Sequence, residues 1–254
     1  MSLQRRARQL GKLAQLLTVP AFRRGLRFGV GAAVEHADLI RSLPLTTVVD
    51  IGANVGQFSL MVVGVIPGVH VYAFEPLSVS SNVFEKLFIG NGNVVLHKFA
   101  VGKSAERIPI RISRRPDSSS LLRATSLQTE VFPGTETADS EIVQVLPIDR
   151  VLTSEQLKPP ALVKLDVQGY ELKALEGCAS LLPLFSYVYL EISFGEFYEG
   201  QATASELFDY LRQRGFDFKG VYNTVYDRNG LAAQCDCFFA RPLQAPSDAR
   251  RTEE

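Results

Sequence analysis

The chain has 254 residues, room for one large domain or two small ones, and its 27 basic and 27 acidic side chains leave a formal net charge of zero. That balance argues against a general nucleic-acid binder, and no apolar run is long enough to cross a membrane. Three cysteines (Cys178, Cys235, Cys237) are too few for a disulfide framework; with no leader-like N-terminus, they point to a reducing, cytoplasmic location.

Residues 1–44 read as a lead-in. Arg5, Arg6, Arg8, Lys12, Arg23, Arg24 and Arg27 all precede the first acid, Glu35. Leu3, Leu10, Leu13, Leu16 and Leu17 fall near helical spacing, so a basic amphipathic helix is expected. Such a helix suits peripheral contact with an anionic membrane, where a glycolipid substrate would be met, or packing on the domain or on a homodimer partner. The packing role is the more common of the two. Residues 35–43 then read as a helix leading into the first strand.

Residues 46–50 form a short run with β-branched side chains, read as a buried strand. Asp50-Ile51-Gly52-Ala53-Asn54-Val55-Gly56 follows as a tight turn, and residues 57–65 carry apolar side chains around a helical repeat. Residues 69–74 read as a second strand with Glu75 at its end, about 20 residues after the turn. Doubly wound sheets hold nucleotide-like ligands in this way, with backbone at the first turn and a carboxylate from strand two on the ribose hydroxyls. A nicotinamide dinucleotide is the rival ligand, but its G-x-G-x-x-G fingerprint is not met, because Asn54 stands at the middle position. Asp50 would also repel a pyrophosphate, whereas it would attract a cationic sulfonium ligand with an amino group. S-adenosylmethionine (SAM) suits that field better.

Ser78 is placed to cap a helix through residue 88, and Asn91-Gly92 to stop it. Residues 94–100 read as strand three, with Ala100 and Val101 placed near an adenine. A polar, turn-rich insertion covers about 104–147, with strands at 108–112 and 141–146. Between them Ser118, Ser119 and Ser120 offer hydrogen bonds to a polyhydroxylated substrate or to SAM, if the segment is a lid and not a plain surface loop. Asp149 reads as a helix cap. Strand 161–165 ends at Asp166, a helix spans 169–176, and strand 187–192 carries Glu191. A helix at 203–214 precedes strands at 216–222 and 235–240, joined by the turn Asp227-Arg228-Asn229-Gly230. Cys235 and Cys237 alternate along the last strand, as buried thiols on one face. The expected architecture is an α/β, Rossmann-like, mostly parallel doubly wound sheet closed by an antiparallel hairpin, spanning 45–241, with a polar tail at 242–254.

Ligands in such sheets bind at the carboxyl ends of the strands, where Asp50, Glu75, Asp166 and Glu191 fall. Candidate cofactor contacts are Asp50, Gly52, Ala53, Asn54, Gly56, Phe58, Glu75, Pro76, Ala100, Val101 and Asp166. Methyl transfer to oxygen needs a group that takes the hydroxyl proton; Asp166 is the first candidate for base or substrate orienter, Glu191 the second. The two carboxylates would also suit Mg²⁺. Tyr198 and Tyr222 are candidate walls of a substrate cleft. His36, His70 and His97 show no partner at triad or metal spacing. The absence of G-x-S-x-G gives a hydrolase little support.

VVDIGANVGQFSL, YAFEP, VKLDVQGYELKALEG and the LEIS…FYEGQ run together resemble the FkbM family of SAM-dependent methyltransferases over about residues 46–240. The resemblance implies a class I Rossmann-like fold with SAM at Asp50, Gly52, Asn54 and Glu75. It also implies O-methylation of a sugar, glycolipid, polysaccharide or polyketide natural product. Other readings are a nicotinamide-dependent oxidoreductase, which would lack its glycine fingerprint and Tyr-x-x-x-Lys pair, and a non-catalytic SAM-binding protein.

Overall fold

The computed structural model describes residues 18–242, so the expected leucine-spaced basic helix and the tail from 243 lie outside the described residues. Seven strands form one sheet: β1 (Thr47–Ile51), β2 (His70–Phe74), β3 (Val94–His97), β7 (Ala161–Leu165), β8 (Tyr187–Ser193), β9 (Asp217–Tyr226) and β10 (Ala232–Ala240). Their order is β3-β2-β1-β7-β8-β10-β9, parallel throughout except for β10, which runs antiparallel to both β8 and β9. The chain winds outward from β1 to β3 on one side and resumes with β7 on the other. The crevice between β1 and β7 is therefore the topological switch point at which such sheets bind ligands.

Every residue of β1 and β7 is buried, as expected of central parallel strands covered on both faces. Val48 joins a core with Phe22, Ile40, Met61 and Phe84, whereas its neighbour Val49 joins one with Leu175, Leu207, Leu211 and Phe239. The first face carries α1 (Pro20–Arg27), α2 (Ala37–Ser42), α3 (Gln57–Val65) and α4 (Ser78–Phe88); the second carries α6 (Glu171–Gly177) and α7 (Ala204–Gln213). Residues 20–27 of the lead-in are part of this packing. A β-carbon on Gly64 would collide with the Phe22 ring, and one on Gly25 with Leu60, so α1 and α3 meet where side chains are absent.

The insertion builds a second sheet. Expected strand 94–100 breaks after His97, and the chain re-enters at β4 (Ala100–Val101) in a three-stranded sheet ordered β4-β6-β5, with β5 at Glu106–Ser113 and β6 at Thr137–Leu146. The antiparallel β5–β6 pair matches Ile108 with Val143, and α5 (Ser126–Val131) lies between its strands in sequence. Two expected caps are replaced. Leu77 occupies the N-cap of α4, and the Ser78 hydroxyl instead donates to Glu141 at 3.0 Å. Asp149 sits inside a 3₁₀ turn whose N-cap is Pro147. Thr203 does cap α7, in a reciprocal box with Glu206.

Gly52 carries the tightest backbone demand. Its φ is +78°, and a β-carbon there would collide with the Asp166 carbonyl oxygen, so the β1 turn and the end of β7 meet backbone to backbone at this point. Gly52→Ala is expected to lower unfolding stability by about 3 kcal/mol or more, from left-handed strain plus a clash that neither strand can relieve. Gly90→Ala, at φ +81° but facing open space, should cost only about 1 kcal/mol. Urea denaturation of the two variants side by side checks the difference.

Candidate active site

A cavity of about 380 Å³ opens over the carboxyl ends of β1, β2 and β7. Of the candidate residues, Gly52, Ala53, Asn54, Phe58, Glu75, Pro76, Ala100, Val101, Asp166, Ser119 and Ser120 line it. Asp50, Gly56, Glu191, Ser118, Tyr198 and Tyr222 are not in its wall. Gly56, at φ +95°, faces the Phe84 and Phe88 rings of α4. Tyr222 packs edge-on against Tyr189. Tyr198 is buried, with its hydroxyl 2.9 Å from Gln168 Oε1 and 3.2 Å from the Ser118 carbonyl oxygen.

The first turn and the end of β2 are tied together by Glu75. Its Oε2 accepts the Asn54 N–H and its Oε1 the Leu77 N–H, both at 2.8 Å. Burial raises the Glu75 carboxyl to about 7 despite those two donors. A carboxylate has about four acceptor sites, so lone pairs remain for ribose hydroxyls. Asn54 itself is held left-handed at φ 47°, and its Oδ1 accepts from Ser80.

Beneath this turn lies a residue that the sequence reading quoted inside a motif but gave no role. Lys164, on β7 two residues before Asp166 and so on the same face, is buried with its Nζ 3.3 Å from Asp50 Oδ1, 3.6 Å from Asp166 Oδ2 and 3.3 Å from the Gly52 carbonyl oxygen. Burial alone would lower its affinity for the proton; Asp50 and Asp166 more than offset this and hold it above the ordinary lysine value. Asp50 is fully buried, takes a 2.7 Å hydrogen bond from Ser59 on its other oxygen, and so reaches the cavity only through Lys164.

Gln168, at φ 54°, bridges the two candidate catalytic acids. Its Nε2 donates to Asp166 Oδ1 at 2.7 Å and to Glu191 Oε2 at 3.2 Å. Glu191 also accepts from Gln234 at 2.6 Å, and burial, with Asp166, Glu171 and Asp236 close by, holds its carboxyl well above the ordinary range. The Mg²⁺ considered for Asp166 and Glu191 does not fit this arrangement, because an amide donor occupies the space where the cation would stand. Among the described residues no group of three or more His, Cys, Asp or Glu is arranged to hold a metal. Tyr170 fills the N-cap position of α6, which leaves Asp166 outside that helix.

Sequence reasoning also missed further titratable residues of the cavity wall, Glu35, His36, Asp117 and Asp236 among them. His36 does have a carboxylate partner, Asp236 of β10, with 3.5 Å between Nδ1 and Oδ2. The alternation of Cys235 and Cys237 was the available signal, since it turns Asp236 to the opposite face. The two thiols are buried together, 3.6 Å apart.

This doubly wound sheet, with its switch-point cavity, acidic β2 end and antiparallel β10, defines a Rossmann-like methyltransferase. Residues 50–218 match the model of the methyltransferase FkbM domain, and the chain belongs to that family. SAM is the methyl donor that family and fold imply, and the residues around the cavity fit it. No curated protein matches the chain. Among solved structures it is similar to an rRNA methylase from Streptococcus thermophilus, at 14% identity and TM-score 0.42 over 81% of this chain and 93% of that one. It is also similar to N,N-8-amino-8-demethyl-D-riboflavin dimethyltransferase (RosA) from Streptomyces davawensis, at 13% identity and TM-score 0.45 over 86% of this chain and 55% of that one.

Glu171 gives the site a measurable pH signature. Its Oε1 accepts the Val167 and Gly169 N–H groups at 3.2 Å, clamping the turn that carries Gln168, and burial raises its carboxyl to about 7. In this window the unfolded chain has already released the proton that the folded chain keeps, so stability falls as pH rises from about 4.5 to 7. Glu171→Gln keeps an acceptor at the clamp and removes the titration. It should leave stability near pH 4.5 little changed and raise it at pH 8 by on the order of 1–3 kcal/mol, read by urea denaturation at the two pH values.

Proposed function

We propose that the protein is a SAM-dependent O-methyltransferase whose acceptor is a sugar hydroxyl of a glycan, glycolipid or glycosylated natural product. The observation that carries this reading is the chemistry of the cavity wall. Among the described residues, Glu35, Glu75, Asp117, Asp166 and Asp236 line it together with the Ser119 and Ser120 hydroxyl-bearing loop, against one lysine, Lys164, already paired with two carboxylates. A polyol presents many hydroxyl donors to such a surface, whereas a nucleic-acid backbone would be repelled. Bound SAM would supply the methyl group. Glu75 would accept its ribose hydroxyls, the 52–54 backbone would receive its amino-acid end, and Ala100 and Val101 would flank the adenine.

Asp166 then serves as orienter at the reacting centre, fixed by Lys164 on one oxygen and Gln168 on the other. Glu191 supports Gln168 from behind. The insertion places Ser120 over the site, where its hydroxyl donates to the Gln168 carbonyl oxygen at 2.6 Å and so ties the serine loop to the catalytic turn.

The test offers methyl-labelled SAM with a panel of alkyl glycosides, glycolipids, primary amines and RNA. Label should enter a glycoside or glycolipid as a methyl ether, located by mass spectrometry, and Asp166→Ala should lower turnover about 100-fold. Label only in RNA or in an amine would overturn the acceptor assignment.

A further inference from the structure

A second polar cluster at the cavity wall stands beside the Lys164–Asp166 network. It is assembled from four distant stretches: His36 in the 3₁₀ turn Val34–His36, Tyr189 on β8, Asn223 on β9 and Asp236 on β10. The imidazole stands edge-on to the Phe58 and Tyr189 rings, with centroids 5.5 Å away in each case. Both His36 and Asp236 line the cavity. Asp236 Oδ2 accepts from Tyr189 Oη at 3.1 Å and from Asn223 Nδ2 at 2.8 Å. His36 Nδ1 lies 2.9 Å from the same Tyr189 oxygen. Tyr189 has one proton, which it gives to Asp236, so toward His36 it accepts. With the ring proton on Nδ1, the chain of bonds runs from His36 Nδ1–H to Tyr189 Oη to Asp236.

The backbone is distorted to complete this cluster. The β9–β10 register shifts between the pairs Gln234–Val225 and Asp236–Tyr222, a bulge that contains Asn223. Asn223 is left-handed there, at φ 47°. Bulges beside active sites re-aim side chains, and strained conformations persist where the surroundings hold them. Among the described residues the non-glycine positions with positive φ are Asn54, Gln168 and Asn223. The first two belong to the active site already described. The third serves His36 and Asp236.

We propose that His36 is a catalytic residue that takes the acceptor hydroxyl proton on Nε2, with Tyr189, Asp236 and Asn223 as its positioning residues. The inference rests on the O-methyltransferase reading. Asp166 is less suited to the task, because one of its oxygens faces Lys164 and the other accepts from Gln168. As the acceptor O–H bond breaks, its proton passes to Nε2. The oxygen forms a bond to the methyl carbon, and the carbon–sulfur bond breaks with its electron pair left on sulfur. The charged groups acting on the imidazole are Glu35 in its own turn, Asp236 on β10, Lys164 on β7 and Asp166 just past its end. Burial lowers its affinity for the proton and Asp236 partly restores it, so the ring is neutral near pH 7 and able to accept.

The decisive quantity is the tautomer, since Asn223 Nδ2 also lies 3.0 Å from Nδ1 and Glu35 Oε1 lies 4.0 Å from Nε2. Nitrogen-15 NMR of His36 in the complex with S-adenosylhomocysteine should show a neutral ring protonated on Nδ1 at pH 7. Its titration should lie below 6.5 and move lower still in Asp236→Asn. In any hydroxyl acceptor that the wild type methylates, His36→Asn should lower kcat about 100-fold or more while the affinity for S-adenosylhomocysteine changes less than about threefold. A ring protonated on Nε2, or a His36→Asn enzyme turning over within about threefold of wild type, overturns the proposal. Failure of the wild type to bind S-adenosylhomocysteine would instead overturn the methyltransferase reading on which it rests.

Discussion

A lysine that cannot leave the interior sets the terms for this structure. Lys164 is buried at the carboxyl end of a central strand, and an unpaired ammonium there would be prohibitively costly. It is retained because Asp50 arrives from the neighbouring strand at 3.3 Å, itself fully buried and steadied by Ser59, and because Asp166 and the Gly52 carbonyl oxygen complete its surroundings. The pair sits across the β1–β7 junction, where the winding of the sheet reverses. Removing either partner would strand the other charge in the core, so the junction, the Gly52 turn and the position of Asp166 stand or fall together. The cavity above inherits its shape from that constraint and its field from the carboxylates around Lys164.

The scaffold was readable in the chain because its signals are local. Strands 161–165 and 187–192 show as apolar runs because parallel strands are covered on both faces, and Asp227–Gly230 marks its hairpin through turn chemistry that needs no tertiary partner. The turn at 52–56 and Glu75 were legible for the same reason: one strand, one turn and the next strand fall within a short stretch. Errors arose where a tertiary contact outbid a local preference. Ser78 forgoes capping for Glu141 on the inserted sheet, and the expected third strand divides because β4 finds a better edge on β6.

The active-site polar groups were legible only in part, for a physical reason. Asp50 was read as a ligand contact because strand-end acids usually face the crevice, but a buried lysine on the neighbouring strand β7, far along the chain, claims it. Tyr198 and Glu191 bond to Gln168 from outside the cavity wall. His36 gave no hint of a partner because Asp236 lies some two hundred residues away and the bulge that completes their cluster leaves no mark in the sequence pattern. Short-range patterns report the frame, while side chains brought together by the sheet must be seen in place. The left-handed backbone at Asn54, Gln168 and Asn223 shows where the fold accepts strain to set those side chains.

The central claim is that the switch-point cavity, built over the Lys164–Asp50 pair, is a SAM site and not a dinucleotide site. Calorimetric titration of the full chain with S-adenosylhomocysteine, with NAD⁺ as the control, tests it most directly. The account requires saturable one-to-one binding of S-adenosylhomocysteine and no heat of binding from NAD⁺. Binding of NAD⁺ with none of S-adenosylhomocysteine would contradict it and return the cavity to nicotinamide chemistry.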